Sequence, residues 1–295
     1  KGTYTRTEAK LFLAQFLFSE GRRDTALMYL NQLRTEYPEN TLFMVLYAFW
    51  QHRLNNYEEA MAAAKTAIEL NNRKKIRYGD ELAYSTLGSI YFTLNDFANS
   101  SSYYRSYKEM THKDERVPNW TYYRAGLACE ISGDRSTALE FYRRMRDVND
   151  RDRVWETQMY RRVQQEMLII QAENAFARKQ YDEALRLYTL GLEKAAANSD
   201  DEGRALYGLL QISYEESRLD SAVAIAKRVV ALNPRNETWV VPHAWYKLGQ
   251  VYVRQRNAGQ ARMAFERALK FKDYDFEMRL ESNAREELKK LDQIR

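Results

Sequence analysis

Apolar residues recur at intervals of three and four positions along nearly the whole chain, which is the spacing of one face of an α-helix. Four prolines and eleven glycines among 295 residues leave few helix breakers. The clearest stretch is a pair of segments near the C-terminus, whose apolar and small residues are Trp245, Leu248, Gly249, Tyr252, Ala261, Phe265 and Ala268. The pattern predicts an all-α protein built from pairs of amphipathic helices.

The small residue that begins the second helix of this pair recurs through the chain, as Ala26, Ala60, Ser100, Ala138, Ala184, Ala222 and Ala261. The intervals between these residues are 34, 40, 38, 46, 38 and 39 positions. A two-helix unit leaves apolar surface uncovered, so such units stack on their neighbours. The pattern predicts one array over residues 1–295, with hairpins at about 7–40, 41–74, 81–114, 119–152, 153–197, 203–236 and 242–275. The hairpin at 153–197 is expected to have an extended first helix, and residues 276–295 are expected to form a capping helix.

The spacing Trp-x-x-Leu-Gly-x-x-Tyr at 245–252, followed by Ala-x-x-x-Phe-x-x-Ala at 261–268, resembles the tetratricopeptide repeat at seven signature positions. Leu87, Gly88 and Tyr91 resemble the first half of the same signature. The resemblance implies a right-handed superhelical solenoid whose first helices line a concave groove. Residues 241–280 are also similar to the C-terminal region of the inclusion-body-clearance and tetratricopeptide-protein-39 group.

The register of this family implies which side chains face the groove. They are Phe18, Phe49, His52, Arg53, Phe92, Trp120, Tyr123, Phe176, Arg204, Tyr207, Gln211, Tyr214, Tyr246 and Gln250, and the same stripe includes Glu173 and His243. Aromatic side chains are frequent among the residues that dominate binding energy. The groove is therefore predicted to bind a protein or peptide segment. The alternative is that these rings pack against the next repeat and fill the groove themselves.

The groove lacks the lysine, asparagine and arginine set with which chaperone-binding members of the family hold a terminal carboxylate. Leu11, Gln15, Val45 and Phe49 stand at the corresponding positions. A chaperone co-factor of that type is therefore not predicted.

Charge and hydropathy restrict the partner further. The 46 Lys and Arg residues against 41 Asp and Glu give a net charge of +5, which is a small excess for this length and makes nucleic acid an unlikely partner. An arginine-rich stretch at 143–162 is offset by interleaved acidic residues, so weak polyanion binding ranks third, behind a binding scaffold and a self-associating structural arm. The mean hydropathy is −0.69, and no apolar run approaches the roughly 18–20 residues of a membrane span.

No residue pattern predicts a catalytic, cofactor or metal site. The three histidines are too far apart in sequence to form a metal motif, and Cys129 alone can form neither an intramolecular disulfide nor a structural zinc site. No glycine-rich nucleotide loop is visible. The chain is therefore predicted to be a non-enzymatic scaffold without a cofactor. It begins at Lys1 rather than Met, which predicts a processed or trimmed N-terminus, and neither compartment nor oligomeric state follows from the sequence.

Overall fold

A computed structural model describes residues 2–110, 119–144, 167–274 and 276–293 of the chain. The described residues form fifteen α-helices and contain no β-strand, which confirms the predicted all-α class. Contacts divide the chain into two compact units, Lys1–Arg144 and Met145–Arg295. The single continuous array over 1–295 and the right-handed superhelix stay predictions.

The first unit consists of four consecutive helical hairpins. Its helices are α1 (Gly2–Ser19), α2 (Arg23–Glu36), α3 (Thr41–Arg53), α4 (Tyr57–Lys74), α5 (Asp80–Thr93), α6 (Phe97–Met110), α7 (Asn119–Ile131) and α8 (Arg135–Arg144). Each second helix packs against its own first helix, and α2, α4 and α6 also pack against the first helix of the following hairpin. The first helices α3, α5 and α7 also pack side by side, so their exposed faces lie next to one another.

The second unit has three hairpins and a final single helix. Its helices are α9 (Met167–Ala177), α10 (Tyr181–Lys194), α11 (Asp200–Glu215), α12 (Leu219–Val229), α13 (Val240–Arg254), α14 (Ala258–Ala268) and α15 (Glu277–Gln293). The first helices α9, α11 and α13 pack side by side, and α15 packs against α13 and α14. Leu280, Ala284 and Leu291 are the buried residues of α15, and they form an apolar stripe on the face of the helix that packs against the unit. The predicted extension of the first helix at 153–166 lies outside the described residues.

Every hairpin turn in the described ranges reverses the chain in the same way. We call the recurring small residue of each second helix, from Ala26 to Ala261, the anchor residue. The residue five positions before each anchor residue has a positive φ, as at Gly21 (79°), Asn55 (66°) and Arg256 (57°). The next amide N–H donates to the carbonyl five residues earlier, as from Asn257 to Tyr252 at 2.9 Å. This backbone arrangement satisfies the carbonyls at the end of the first helix. It recurs in all seven described hairpins and therefore sets a common hairpin geometry.

Small residues allow neighbouring helices to approach closely, both within a hairpin and between successive hairpins. A Cβ atom placed on Gly249 would lie closer than 3.0 Å to the ring of Phe265, and one placed on Gly208 would meet the ring of Tyr188 at a similar distance. Phe265 and Tyr188 are themselves buried. The large ring of one helix therefore packs directly on the backbone of its neighbour.

We expect Gly249→Ala to lower the free energy of unfolding by about 1 kcal/mol. Overpacking against the Phe265 ring destabilises the folded chain by more than the higher helix propensity of alanine stabilises it. Gly259→Ala is the matched control, since a Cβ there meets nothing within 4 Å. The control should raise stability by a few tenths of a kcal/mol to about 1 kcal/mol. Urea denaturation of both variants tests this, and equal shifts would show that Gly249 is not at a close contact.

Candidate functional site

The inward faces of α9, α11 and α13 meet at a cavity of about 320 Å³ in the second unit. It is lined by Glu173, Phe176, Tyr188, Arg204, Tyr207, Gly208, Gln211, Trp239, His243 and Phe276. The structure thus brings together four of the predicted groove residues, Phe176, Arg204, Tyr207 and Gln211, with the stripe residues Glu173 and His243. Rings make up most of the lining, so the cavity presents apolar surface with a few polar groups.

Aromatic rings surround the His243 imidazole. Its ring centroid lies 5.4 Å from that of Trp239, 6.2 Å from Tyr274 and 6.3 Å from both Tyr207 and Phe276. The ring planes are nearly perpendicular, with interplanar angles of 76–88°. Edge-to-face pairs at such distances are favourable, so this cluster gives the cavity a defined wall.

Hydrogen bonds from the start of α11 hold the segment that carries Trp239. The Asp200 carboxylate accepts from the backbone N–H of Asn236 at 2.9 Å and from that of Glu237 at 3.1 Å. Glu237 is buried, and its carboxylate accepts from the Trp239 indole N–H. The position of this ring is therefore set by polar contacts outside the repeat signature.

An ion pair joins α9 to α11 at the edge of the cavity. The Arg204 guanidinium donates to Glu173 Oε1 from Nη2 at 2.7 Å and from Nε at 3.0 Å. The Arg204 side chain is 6% exposed, whereas that of Glu173 is 42% exposed. Arg204 is thus a largely buried cation and offers little surface of its own to a partner.

A second cavity, of about 280 Å³, adjoins the first. It is lined by Tyr207, His243, Tyr246, Lys247, Phe276, Arg279, Leu280 and Asn283. The two cavities share Tyr207, His243 and Phe276. The two are therefore adjacent, and together we call them the paired cavity, which lies on α9, α11, α13 and α15.

Two further predicted groove residues lie on the same helices. The Tyr214 ring lies under two cations, with Lys247 Nζ 4.3 Å and the Arg254 guanidinium carbon 3.5 Å from its centroid. Gln250 donates from Nε2 to the Tyr246 hydroxyl at 3.2 Å. Cation–π contacts of this kind hold long basic side chains in place.

In the first unit, predicted groove residues from α3 and α5 are linked through α7. Arg124 donates to the Ser89 hydroxyl, and that hydroxyl lies 3.3 Å from His52 Nε2. The Arg124 guanidinium carbon is 5.3 Å from the centroid of the Phe92 ring. Because the Ser89 oxygen accepts from Arg124, its own proton can be donated to a neutral His52 imidazole.

Burial, followed by the charges of Arg124 and Arg53, lowers the pKa of His52 to about 4. The pKa is thus lower in the folded than in the unfolded chain, where it is near 6.5, so stability is present above pH 6.5 and is lost as the pH falls towards 4. We expect wild type to lose about 1–2 kcal/mol more than His52→Gln over this range, allowing for partial solvation. Urea denaturation at pH 7, 5.5 and 4.5 measures the difference, and parallel pH profiles would contradict the shift.

The remaining predicted groove residues have varied surroundings. Phe18 stacks on Trp50 with centroids 4.6 Å apart, and Phe49 packs against the same hydrophobic cluster. Arg53 is exposed, Tyr123 is half-buried, and Phe92 and Tyr207 are buried. The side chain of Trp120 lies outside the described part of the chain. Phe18 and Phe49 therefore contribute to packing in the first unit.

The register did not identify Trp239 or Phe276 as cavity residues. Trp239 precedes α13 and is four positions before His243, a spacing that places both on one helix face. Phe276 precedes α15 and has a φ of 67°, an uncommon conformation for a bulky residue. The spacing to His243 could have indicated Trp239, whereas no signal in the sequence indicates the turn at Phe276.

The described residues include no group of three or more histidine, cysteine or acidic residues placed to hold a metal ion. Cys129 is buried, and burial raises the pKa of its thiol to about 11, which disfavours the reactive thiolate. None of the helices in these ranges combines the length and the apolar character needed to cross a bilayer. The arginine-rich stretch lies outside the described residues beyond Arg144.

Successive packed hairpins with a repeated turn and small-on-large packing define a helical-repeat protein. The chain belongs to the tetratricopeptide-repeat superfamily, because models of the tetratricopeptide repeat match residues 8–40, 46–74, 82–111, 171–237 and 242–274, which together make up well over half of it. No match was found among the curated proteins searched.

Three solved structures illustrate the similarity in fold. A tetratricopeptide-repeat protein from Parabacteroides merdae is 15% identical, with a TM-score of 0.41, over 97% of this chain and 98% of that one. PilF of Pseudomonas aeruginosa is 13% identical, with a TM-score of 0.44, over 78% of this chain and 92% of that one. The TPR2AB domain of yeast Sti1, in complex with pHSP90, is 15% identical, with a TM-score of 0.37, over 97% of each chain.

Proposed function

We propose that the chain is a protein-interaction scaffold and that the paired cavity binds an extended segment of a partner protein. The observation that carries this proposal is the convergence of three first helices on a cavity of about 320 Å³ with a mostly aromatic lining. Rigid aromatic side chains give a large contact area and lose little conformational entropy on binding.

The size and the polar groups of the cavity favour a peptide segment. Its volume is at the lower end of the roughly 300–1,000 Å³ of ligand pockets, which suits one or two side chains rather than a folded domain. Gln211 adds an amide that can both donate to and accept from a peptide backbone. A bulky apolar side chain of the partner would enter between Phe176 and Trp239, and its backbone would pass Gln211.

The proposal is tested by selecting a phage-displayed library of random dodecapeptides on the purified chain. We expect enriched peptides with a shared large apolar residue, and we expect Gln211→Arg to weaken their binding at least tenfold by filling the cavity with a charged side chain. Phe12→Ala is the control, because Phe12 is 68% exposed and belongs to the first unit. Melting temperatures of both variants should stay near that of wild type. Absence of enrichment, or equal binding by Gln211→Arg, would contradict the proposal.

A self-filled groove is the second candidate function, and Phe276 favours it. The ring of Phe276 lines both parts of the paired cavity, and Tyr207 beside it is already buried. In that case the array is a structural arm whose groove is occupied by its own side chains. Concentration-dependent mass in sedimentation velocity, together with no peptide enrichment, would favour this candidate.

A further inference from the structure

The two halves of the paired cavity differ in charge. The half with Glu173 and Arg204 contains an ion pair, whereas the half on α13 and α15 contains two cations, Lys247 and Arg279, and no carboxylate among the described residues of its lining. Within the described residues, the ion pairs of α15 are Lys272–Glu277, Lys272–Glu281, Arg285–Glu281, Lys290–Glu286, Lys290–Glu287 and Arg262–Asp292, and none of them uses Lys247 or Arg279. Lys247 and Arg279 thus leave a net positive charge on this side of the cavity.

Lys247 has lost part of its hydration, whereas Arg279 is exposed to solvent. Lys247 is half-buried and lies over the Tyr214 ring, and burial lowers the pKa of its ammonium group although Glu215 acts in the opposite direction. Arg279 projects from the first turns of α15 towards the same cavity. An anion placed between them would compensate a cation that has already lost part of its hydration.

Neutral donors lie beside the two cations. Asn283 lines the cavity one turn beyond Arg279 and carries an amide N–H₂ group. The Tyr246 hydroxyl oxygen accepts from Gln250, which leaves its own proton available to a further acceptor. Two cations and two neutral donors around one space match the acceptor-only character of a carboxylate.

We propose that the half of the paired cavity formed by α13 and α15 binds a carboxylate of the partner segment, next to the apolar side chain that occupies the other half. This inference rests on the proposed function. Because the two halves share three aromatic residues, the acidic residue lies within about three positions of the apolar one in an extended segment, at roughly 3.3 Å per residue. The partner segment therefore contains an acidic residue close to an aromatic or aliphatic one. Its negative charge complements the basic lining of this half of the cavity.

The experiment repeats the dodecapeptide selection on wild type and on the double variant Lys247→Gln with Arg279→Gln. We expect wild type to enrich peptides that have Asp or Glu within three positions of a large apolar residue. Synthetic versions of the leading peptide, with amidated C-termini, are then measured by fluorescence anisotropy. The double variant should bind the acidic peptide at least tenfold more weakly, and changing its Asp or Glu to Asn or Gln should cause a similar loss with wild type.

Arg285→Gln is the matched control, since Arg285 is on the same helix but is paired with Glu281 and does not line the cavity. It should bind like wild type. Raising NaCl from 50 to 500 mM should weaken the binding of the acidic peptide and leave the binding of its Asn or Gln version nearly unchanged. Enriched peptides without an acidic bias, or equal affinity of the double variant, would overturn this inference and leave the proposed function standing. Absence of any enrichment would overturn both.

Discussion

Phe265→Ala is expected to lower the free energy of unfolding by about 3–5 kcal/mol, the largest effect of any single change considered for stability. Phe265 is fully buried in α14, and its ring packs on the backbone of α13 at Gly249. Its centroid is 5.5 Å from that of Tyr246, and it belongs to a cluster with Ala261 and Leu291 of α15. Removing the ring takes away the apolar group on which three helices meet and leaves a cavity that the rigid backbone cannot close.

Chemical denaturation followed by circular dichroism measures this loss. Met263→Ala is the matched control, because Met263 is on the same helix and is 45% exposed. The control should change the free energy of unfolding by about 0.5 kcal/mol or less. A loss below about 1 kcal/mol for Phe265→Ala would place its ring outside the core and would remove the physical basis of the hairpin assignment.

The hairpins could be predicted from the sequence because the interactions that form them are local. The anchor residue, the turn residue five positions before it and the large ring four positions after Ala261 all fall within one repeat. Each of these residues is required by the close approach of two neighbouring helices, and so each leaves a trace in the periodicity. The capping helix was predictable for the same reason, since its apolar stripe has helical spacing.

The surroundings of the groove were harder to predict because they depend on contacts between distant residues. Tyr207 is buried, and its ring packs edge to face against Trp239, which is outside the repeat signature. His52 is held through Ser89 and Arg124, which lie on two other first helices. A register gives the face on which a side chain lies. Its exposure depends on connecting segments that have no periodicity.

The half of the paired cavity formed by α13 and α15 could not be predicted from the sequence, for a related reason. Arg279 and Asn283 lie on the capping helix, and each directly precedes a residue of its apolar stripe, Leu280 and Ala284 respectively. Polar residues beside such a stripe are usually solvated, so their pattern does not indicate a site. Only the packing of α15 against α13 brings them next to Lys247.

Glu173→Gln is expected to lower the free energy of unfolding by about 2 kcal/mol. Its partner Arg204 is 6% exposed, so loss of the carboxylate removes a charge to which this buried guanidinium donates two hydrogen bonds. Breaking a buried pair in this way costs about 3–5 kcal/mol, and the 42% exposure of Glu173 reduces that figure. Glu183→Gln is the control, because Glu183 and Arg186 form an exposed pair, and it should change stability by about 0.5 kcal/mol or less.

The double variant Glu173→Gln with Arg204→Met distinguishes charge from packing. Methionine keeps much of the apolar stem of arginine and removes the buried charge, so the double variant should recover most of the stability that Glu173→Gln loses. Urea denaturation of wild type, Glu173→Gln, Arg204→Met and the double variant gives the coupling energy of the pair. If the double variant is as unstable as the sum of its parts, the side chains act through separate contacts. Arg204 would then be a packing residue of α11, and the edge of the cavity would not depend on its charge.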